Sequence, residues 1–321
     1  MKPKITKGKP FLVSVITPVY NAAQFVTRSV ESALAQPETA EVLLIEDGSP
    51  DGSLVVCQAL AEKYEKVKLL RHPNGENRGP GASRNLGLKQ ASHDYIAFVD
   101  ADNFYLPNRF ATVKDIFRNI PDCEGVYEII GNFVQDEAGL QRWLNANRDP
   151  VKLTGLTKPV EPGDLASVLI NGGCGGLTLD GLTLRRSVLK KSGFMAEELR
   201  LHQDTDFIIR AALVAKLYPG NLQEPVALRG IHDHNRLSAP RSQMREYKNR
   251  MAYWMCLYRW SKKHANSTVQ KEILRAIVRY SKAHKYFKKF PLNLFPVRLV
   301  WLTRLIRLVA YPEVIYDLLK R

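Results

Sequence analysis

The chain has 321 residues, 45% hydrophobic and 25% charged, an ordinary globular composition that leaves room for one large domain or a domain with an appendage. Its four cysteines, Cys57, Cys123, Cys174 and Cys256, are scattered without a CxxC pair, so neither a zinc site nor a disulfide framework is indicated and a reduced, cytoplasmic setting is favoured. The net charge of +15 sits in the tail: residues 241–321 hold 19 Lys and Arg against 4 Asp and Glu, whereas the first 240 hold 28 of each. Such a tail suits an acidic partner, membrane or nucleic acid. The first 240 residues lack a basic face and any recognisable nucleic-acid motif, which disfavours nucleic acid.

Residues 1–10, "MKPKITKGKP", are basic and polar, unlike a signal peptide, and read as a flexible arm. The chain then alternates between two periods. "FLVSVITP", "EVLLIED", "VKLLRH", "YIAFVDA" and "GVYEIIGN" are short β-branched-rich runs that predict strands. Helical patterns separate the early ones. In "AQFVTRSVESALAQ", Val26, Val30, Ala33 and Leu34 share a face, and "DGSLVVCQALAEKYE" and "GASRNLGLKQA" follow. This alternation predicts an α/β fold with a mainly parallel sheet flanked by helices. Ligands on such sheets sit at the carboxyl ends of the strands. Polar residues gather there on three successive runs: Thr17 and Tyr20, either side of the Pro18 that ends the first run; Glu46 and Asp47; Asp100 and Asp102.

Residues 145–164, "NANRDPVKLTGLTKPVEPGD", are expected to form a long loop or lid. "NGGCGGLTLDGLTLRRSVL" reads as a glycine-rich turn and then a β-like stretch, and "DTDFIIRAALVAK" as a helix. Past residue 240 the character changes. "KEILRAIVRYSKAHKYFKK" places Lys271, Arg275, Arg279, Lys282, Lys285 and Lys289 at spacings of three and four, with Ile273, Ile277, Tyr280 and Phe287 on another side, as in a basic amphipathic helix. The run Leu294 to Tyr311 carries three arginines. Against the ~20 apolar residues needed to span a bilayer, it suits the membrane interface better than the interior.

Several residue patterns carry chemistry, each beside a purely structural alternative. Asp100 and Asp102 follow a buried run and point the same way from an extended chain. Their repulsion makes sense with a hard divalent cation that keeps waters and binds phosphate; otherwise the pair belongs to a solvated loop. Asp47 could accept hydrogen bonds from a base or ribose, or shape a turn and cap the next helix. Tyr20 could stack on a flat ring, or simply pack beside Asn21 acting as a helix cap. Asp204 or Asp206 could be a general base, with a cap the alternative, more so for Asp206. His232 and His234 flank an aspartate and could bind metal or diphosphate, or be structural.

Together, "VSVITPVYNAAQFVTRSVESALAQ", "LLIEDGSPDGS", "GPGASRNLGL", "IAFVDADNFYLPNRF" and "HQDTDFIIRAAL" resemble, in order and spacing, inverting family 2 glycosyltransferases of the GT-A fold over roughly residues 11–240. The resemblance implies transfer of a sugar from a nucleotide-sugar, of the UDP type, with a divalent cation, Mn or Mg. It implies Thr17, Pro18 and Tyr20 around the nucleobase, Asp47 hydrogen-bonded to it with Glu46 alongside, and Arg84 near the nucleotide. Asp100 would face the ribose, Asp102 would ligate the metal with His232 near it, and Asp204 would be the catalytic base. Glu46, Asn103 and Gln203 depart from the family's frequent aspartate, aspartate and glutamate. The expected organisation is a flexible arm at 1–10, a GT-A domain at 11–240 and a basic helical extension at 241–321. The expected partners are a nucleotide-sugar, a glycan acceptor that the basic tail suggests is lipid-linked, and an anionic membrane surface, with no nucleic acid. This corresponds to a peripheral protein on the inner face of the membrane. A soluble transferase acting on protein or free glycan, and a nucleotide-sugar-binding protein without catalysis, are the competing readings.

Overall fold

In a computed structural model, the structure describes residues 10–235, 238, 242–283 and 314. By contacts the chain divides into two units, Met1–Pro240 and Arg241–Arg321. The first unit opens with β1 (Val13–Val19), α1 (Val26–Leu34), β2 (Thr39–Glu46), α2 (Ser53–Lys63), β3 (Val67–Arg71), α3 (Pro80–Gln90) and β4 (Tyr95–Phe98). Then come β5 (Asn103–Tyr105), α4 (Ala111–Asn119), β6 (Gly125–Tyr127), β7 (Gly131–Val134), α5 (Glu137–Asn145) and α6 (Pro162–Asn171). It ends with β8 (Leu182–Arg185), α7 (Leu189–Ser192), α8 (Gln203–Val214), β9 (Leu217–Pro219) and β10 (Ala227–Ile231).

Seven strands form the main sheet in the order β3-β2-β1-β4-β8-β6-β9. Every pairing is parallel except those of β8 with β4 and β6. The period of two in the strands feeds two cores. Ile16, Leu43, Ile45, Ile96 and Phe98 pack with Leu88 of α3, Leu165 of α6 and Phe207 of α8. Val13, Val15, Val42, Leu44 and Ala97 face the other way, with Val26, Val30 and Ala33 of α1 and Cys57 and Leu60 of α2. Buried apolar alternation on both faces is what a sheet covered on both sides requires. Strand order reverses at β1, whose neighbours are β2 and β4. The β1–β4 pairing ends at Ile16↔Phe98, while β1 continues along β2 to Val19↔Glu46. The carboxyl ends therefore splay apart, and Pro18, which lacks an N–H, lies past the last β4 partner. A crevice at such a reversal is where open α/β sheets hold ligands.

The run "GVYEIIGN" is not one strand. β6 joins the main sheet, and β7 joins a second, three-stranded sheet of order β5-β10-β7. The break falls at Glu128, which is 1% exposed and pairs with the buried Arg109 guanidinium at 2.5 Å. Around it the backbone bonds to loops: the Glu128 N–H donates to the Gly181 carbonyl and the Ile129 N–H to the Asn221 carbonyl. The expected loop at 145–164 is shorter, because α6 starts at Pro162, a residue suited to the first helical turn.

The second unit contains α9 (Gln243–His264) and α10 (Ser267–Ala283). The Ser242 hydroxyl caps α9 by accepting the Arg245 N–H at 3.2 Å. Tyr247 and Tyr280 stack with centroids 5.9 Å apart, joining the two helices. On α10, Ile273, Leu274, Ala276 and Ile277 are buried while Lys271, Arg275 and Arg279 are exposed. The expected amphipathicity is present through Tyr280. Lys285, Phe287, Lys289, the run Leu294 to Tyr311 and most of the N-terminal arm lie outside the described residues.

Candidate active site

The crevice is framed by the ends of β1, β2 and β4. At β1, Thr17 is fully buried and its hydroxyl has no hydrogen-bond partner, while Tyr20, just beyond the strand, is 52% exposed. The Asp47 N–H donates to the Val19 carbonyl at 2.9 Å, which ties the ends of β1 and β2 together.

Glu46 and Asp47 organise the neighbouring loops. The Glu46 carboxylate accepts the Ser49 N–H at 2.5 Å and the Arg71 Nε–H at 2.8 Å. Burial pushes its pKa up, but those two donors outweigh it and the group stays below the usual carboxylate range. The Asp47 carboxylate accepts the backbone N–H of Arg78 at 2.8 Å and of Gly79 at 2.9 Å, one on each oxygen. Asn77 donates its amide to the Asp47 carbonyl at 2.8 Å. Gly48 has φ +66°, and a Cβ there would lie 2.5 Å from the Gly75 oxygen, so only glycine lets the loops meet. Asp47 thus holds the loop before α3 across the end of β2.

Asp100 and Asp102 diverge in partners. Asp100 receives the Arg84 guanidinium at 2.5 Å. Arg84 sits on α3 and is 5% exposed; burial acts to lower its pKa, but Asp100 and then Asp204 raise it and hold it charged. Asp102 accepts from His232 Nε2 at 3.1 Å, across 130 residues of chain. The His234 N–H donates to His232 Nδ1 at 3.2 Å, which assigns the ring proton to Nε2 and aims it at Asp102. Arg142 of α5 contacts both the Asp233 carbonyl and, at 2.8 Å, its carboxylate, which fixes the His232 loop. The Asp102 side chain remains 32% exposed.

Asp204 lies at the start of α8, behind His202 in the left-handed region at φ 65°, and is partly buried. Asp206 is not a cap. It is fully buried and binds Arg210 on the next turn at 2.6 Å and 2.8 Å. Likewise Asn21 does not cap α1, whose cap position is Phe25, and the cap position of α2 is Gly52, which has no side chain to cap with.

The structure therefore brings Asp102 to His232, and Arg84 to Asp100 within the field of Asp204. It gathers Glu46 and Asp47 into the loops beside the β1 end. Asp180 went unnoticed in the sequence. It is 4% exposed, and its carboxylate accepts the Asp100 N–H at 3.0 Å. Burial first, then the Asp100 charge, push its pKa up to about 6. An ionisable residue inside the apolar stretch "LTLDGLTL" was the available signal. Among the described residues, no three His, Cys, Asp or Glu side chains converge to hold a metal unaided.

Fold and site define a GT-A α/β protein with an acidic crevice at the carboxyl edge of its sheet. Residues 14–190 match Glycosyl transferase family 2, and the chain belongs to that family. An uncharacterized glycosyltransferase of Nostoc, alr2836, is 30% identical over 230 residues, 70% of this chain and 66% of that protein. The succinoglycan biosynthesis protein ExoU of Rhizobium meliloti is 40% identical over 105 residues, 33% of this chain and 30% of its own length. The chain spans only 30–42% of the length of three such curated relatives. Among solved structures, S. aureus TarS 1–349 in complex with UDP-GlcNAc superposes with a TM-score of 0.62 at 18% identity, covering 88% of this chain and 77% of that one, a likeness of fold.

Proposed function

We propose that this chain is an inverting glycosyltransferase that moves a sugar from a UDP-sugar to a glycan hydroxyl in polysaccharide or glycoconjugate synthesis. The observation that carries the reading is the strand-end constellation: Asp102 hydrogen-bonded to His232, beside Asp100 paired with Arg84 in the field of Asp204. Family membership supports sugar transfer, ExoU's name supports polysaccharide synthesis, and TarS, bound to UDP-GlcNAc, supports a uridine donor.

In this reading the base lies against Thr17, Pro18 and Tyr20. The orphaned Thr17 hydroxyl is a buried polar group in want of a partner. Each Asp47 oxygen keeps a second lone pair after serving the loop, enough to accept a uracil N–H. Glu46 stiffens the loop through Ser49 and Arg71. Asp100, held by Arg84, faces the ribose.

The donor set fits a divalent cation, Mn or Mg, bound by Asp102 and His232 and completed by diphosphate oxygens and water, which is how such hard cations are commonly held. With its proton on Nε2, His232 orients Asp102; ligation through Nε2 would require the ring proton to move to Nδ1 and the His234 N–H to release that nitrogen. The cation, when bound, supplies charge compensation for the departing diphosphate. Asp204 takes the proton of the acceptor hydroxyl as its oxygen attacks the anomeric carbon on the face opposite the diphosphate. The carbon–oxygen bond to the acceptor forms as the bond to phosphate breaks, and the configuration inverts.

The basic second unit is proposed to rest on an anionic membrane surface, which makes a lipid-linked glycan the favoured acceptor and the inner membrane face the favoured site. The deciding experiment is a screen of nucleotide-sugars for binding and hydrolysis with and without Mn, with Asp102→Ala as the control. Metal-dependent UDP binding should be lost in a folded Asp102→Ala protein. Undiminished binding there would overturn the assignment.

A further inference from the structure

The strand that delivers His232 is finished by a side chain. On the β5 edge of β10 the pairing ends at Arg229↔Asn103. The Ile231 carbonyl faces β7 and accepts the Gln135 N–H at 2.8 Å, so its neighbours Gly230 and His232 turn their backbone groups to the other edge. There the Asn235 amide takes the place of a further strand. Its Oδ1 accepts the His232 N–H at 2.8 Å, and its Nδ2 donates to the Gly230 carbonyl at 3.1 Å. The Asn235 N–H closes the turn on the His232 carbonyl at 3.1 Å. Asn235 and His232 are each 4% exposed.

These backbone groups fix which way the amide faces. Turned over, it would set its N–H groups against the His232 N–H and its oxygen against the Gly230 carbonyl. In the orientation that remains, Nδ2 also lies 3.5 Å from Oδ2 of Asp102, the oxygen that accepts from His232 Nε2 at 3.1 Å. Both groups of the turn therefore meet the same oxygen of Asp102. The His232 ring packs in addition on Phe25, with centroids 4.3 Å apart.

We propose that Asn235 is a positioning residue of the donor site: by bracing the turn after β10 it holds the His232 ring on Oδ2 of Asp102 and leaves Oδ1 for the cation. The inference rests on the functional reading above for its consequence, though not for its geometry. The site is demanding of residue type. Alanine serves neither backbone group. A serine hydroxyl can accept from the His232 N–H but is too short to reach the Gly230 carbonyl as well. Aspartate would turn a carboxylate on that carbonyl and on Asp102.

The test uses the full chain, with Mn-dependent UDP affinity by calorimetry and the thermal midpoint of the ligand-free protein as two readouts. Asn235→Ala strands two buried backbone groups, so it should weaken UDP at least about tenfold and lower the midpoint. Asn235→Ser should fall between it and the parent. Asp206→Asn, which breaks the buried pair with Arg210, should lower the midpoint yet bind UDP as the parent does. In a His232→Ala background, Asn235→Ala should cost less than about twofold more, because it acts through that ring. Parent-like UDP binding by Asn235→Ala overturns the proposal. So does an equal loss of affinity in Asp206→Asn, or a loss in the His232→Ala background as large as in the parent. If Asn235→Ala does not fold, Asn235→Ser decides by the same comparisons; if neither folds, the residue serves folding and the proposal falls. If the parent chain binds no UDP, the functional reading falls. The midpoints then decide the seat, as they do if His232→Ala binds too weakly to measure: losses in the double variant smaller than the sum of the singles support it, and additive losses refute it.

Discussion

Asp204 and Asp206 stand two residues apart on α8 with unlike surroundings. Asp206 is fully buried against Arg210, and burial, offset in part by that arginine, raises its pKa. Asp204 is partly buried and shares the crevice with Arg84. Only the second arrangement leaves a carboxylate accessible to an incoming hydroxyl. A general base contributes roughly 10²–10⁴-fold, so Asp204→Asn should lose about that in turnover while donor affinity and thermal midpoint stay near the parent's. Asp206→Asn should do the reverse. It strands a buried guanidinium, a change that costs about 3–5 kcal/mol of stability, while the folded fraction keeps its turnover per molecule. Steady-state kinetics paired with thermal unfolding separates the two. A crippled Asp206→Asn beside an active Asp204→Asn would mean the roles are exchanged.

Between elements, Glu41 of β2 does the stitching. It is 2% exposed, and its carboxylate accepts from the Ser14 hydroxyl of β1 at 2.6 Å, from Lys68 of β3 at 2.8 Å, and from the N–H and hydroxyl of Ser92, just before β4, at 2.8 Å each. Burial pushes its pKa up, but Lys68 and the two serines pull it down to about 2, from 4.5 for a free glutamate. A folded-state pKa below the unfolded one stabilises the fold fully above about 4.5, and the contribution disappears as pH falls towards about 2. Glu41→Gln should therefore lower the midpoint of unfolding by several degrees at neutral pH. The gap to the parent should close between pH 4.5 and 2, as read by thermal melts across that range. A gap that stays constant would assign the loss to packing alone.

The same long-range bonding explains what could be read from the sequence. The strands β1 to β4 and helices α1 to α3 announce themselves by local period, and the residues at their ends follow from the topology. That is why the placing of Asp47, Asp100 and Asp102 just past strand ends was legible. The small sheet was not: β5, β7 and β10 are three to five residues long and come from distant parts of the chain. Asp180 and the Arg109–Glu128 pair were also invisible, because their meaning depends on partners 19 to 80 residues away. The break in "GVYEIIGN" has the same origin. A glutamate in a β-rich run looks like the polar side of an alternating strand until its buried arginine is known.

For the chain as a whole, the net charge is concentrated in one of its two units. The first 240 residues are neutral overall, and residues 241–321 carry +15. No helix among the described residues is long and apolar enough to cross a membrane. The apolar side of α10 is buried, so in the described residues it is the exposed Lys271, Arg275 and Arg279 that could meet an anionic surface. That makes the proposed attachment of this segment electrostatic. Basic residues near such a surface are worth about 1 kcal/mol each, and the attraction is screened within a Debye length of about 10 Å at 0.1 M salt and 3 Å at 1 M. The full chain should sediment with anionic vesicles at low salt, come off as salt rises, and bind neutral vesicles poorly. Lys271→Glu/Arg275→Glu/Arg279→Glu should weaken the anionic binding about a hundredfold or more, since three contacts are reversed, while donor hydrolysis in solution stays unchanged. If the parent chain ignores anionic vesicles at low salt, the lipid-linked acceptor loses its support. If the triple variant binds as the parent does, attachment lies elsewhere in residues 241–321.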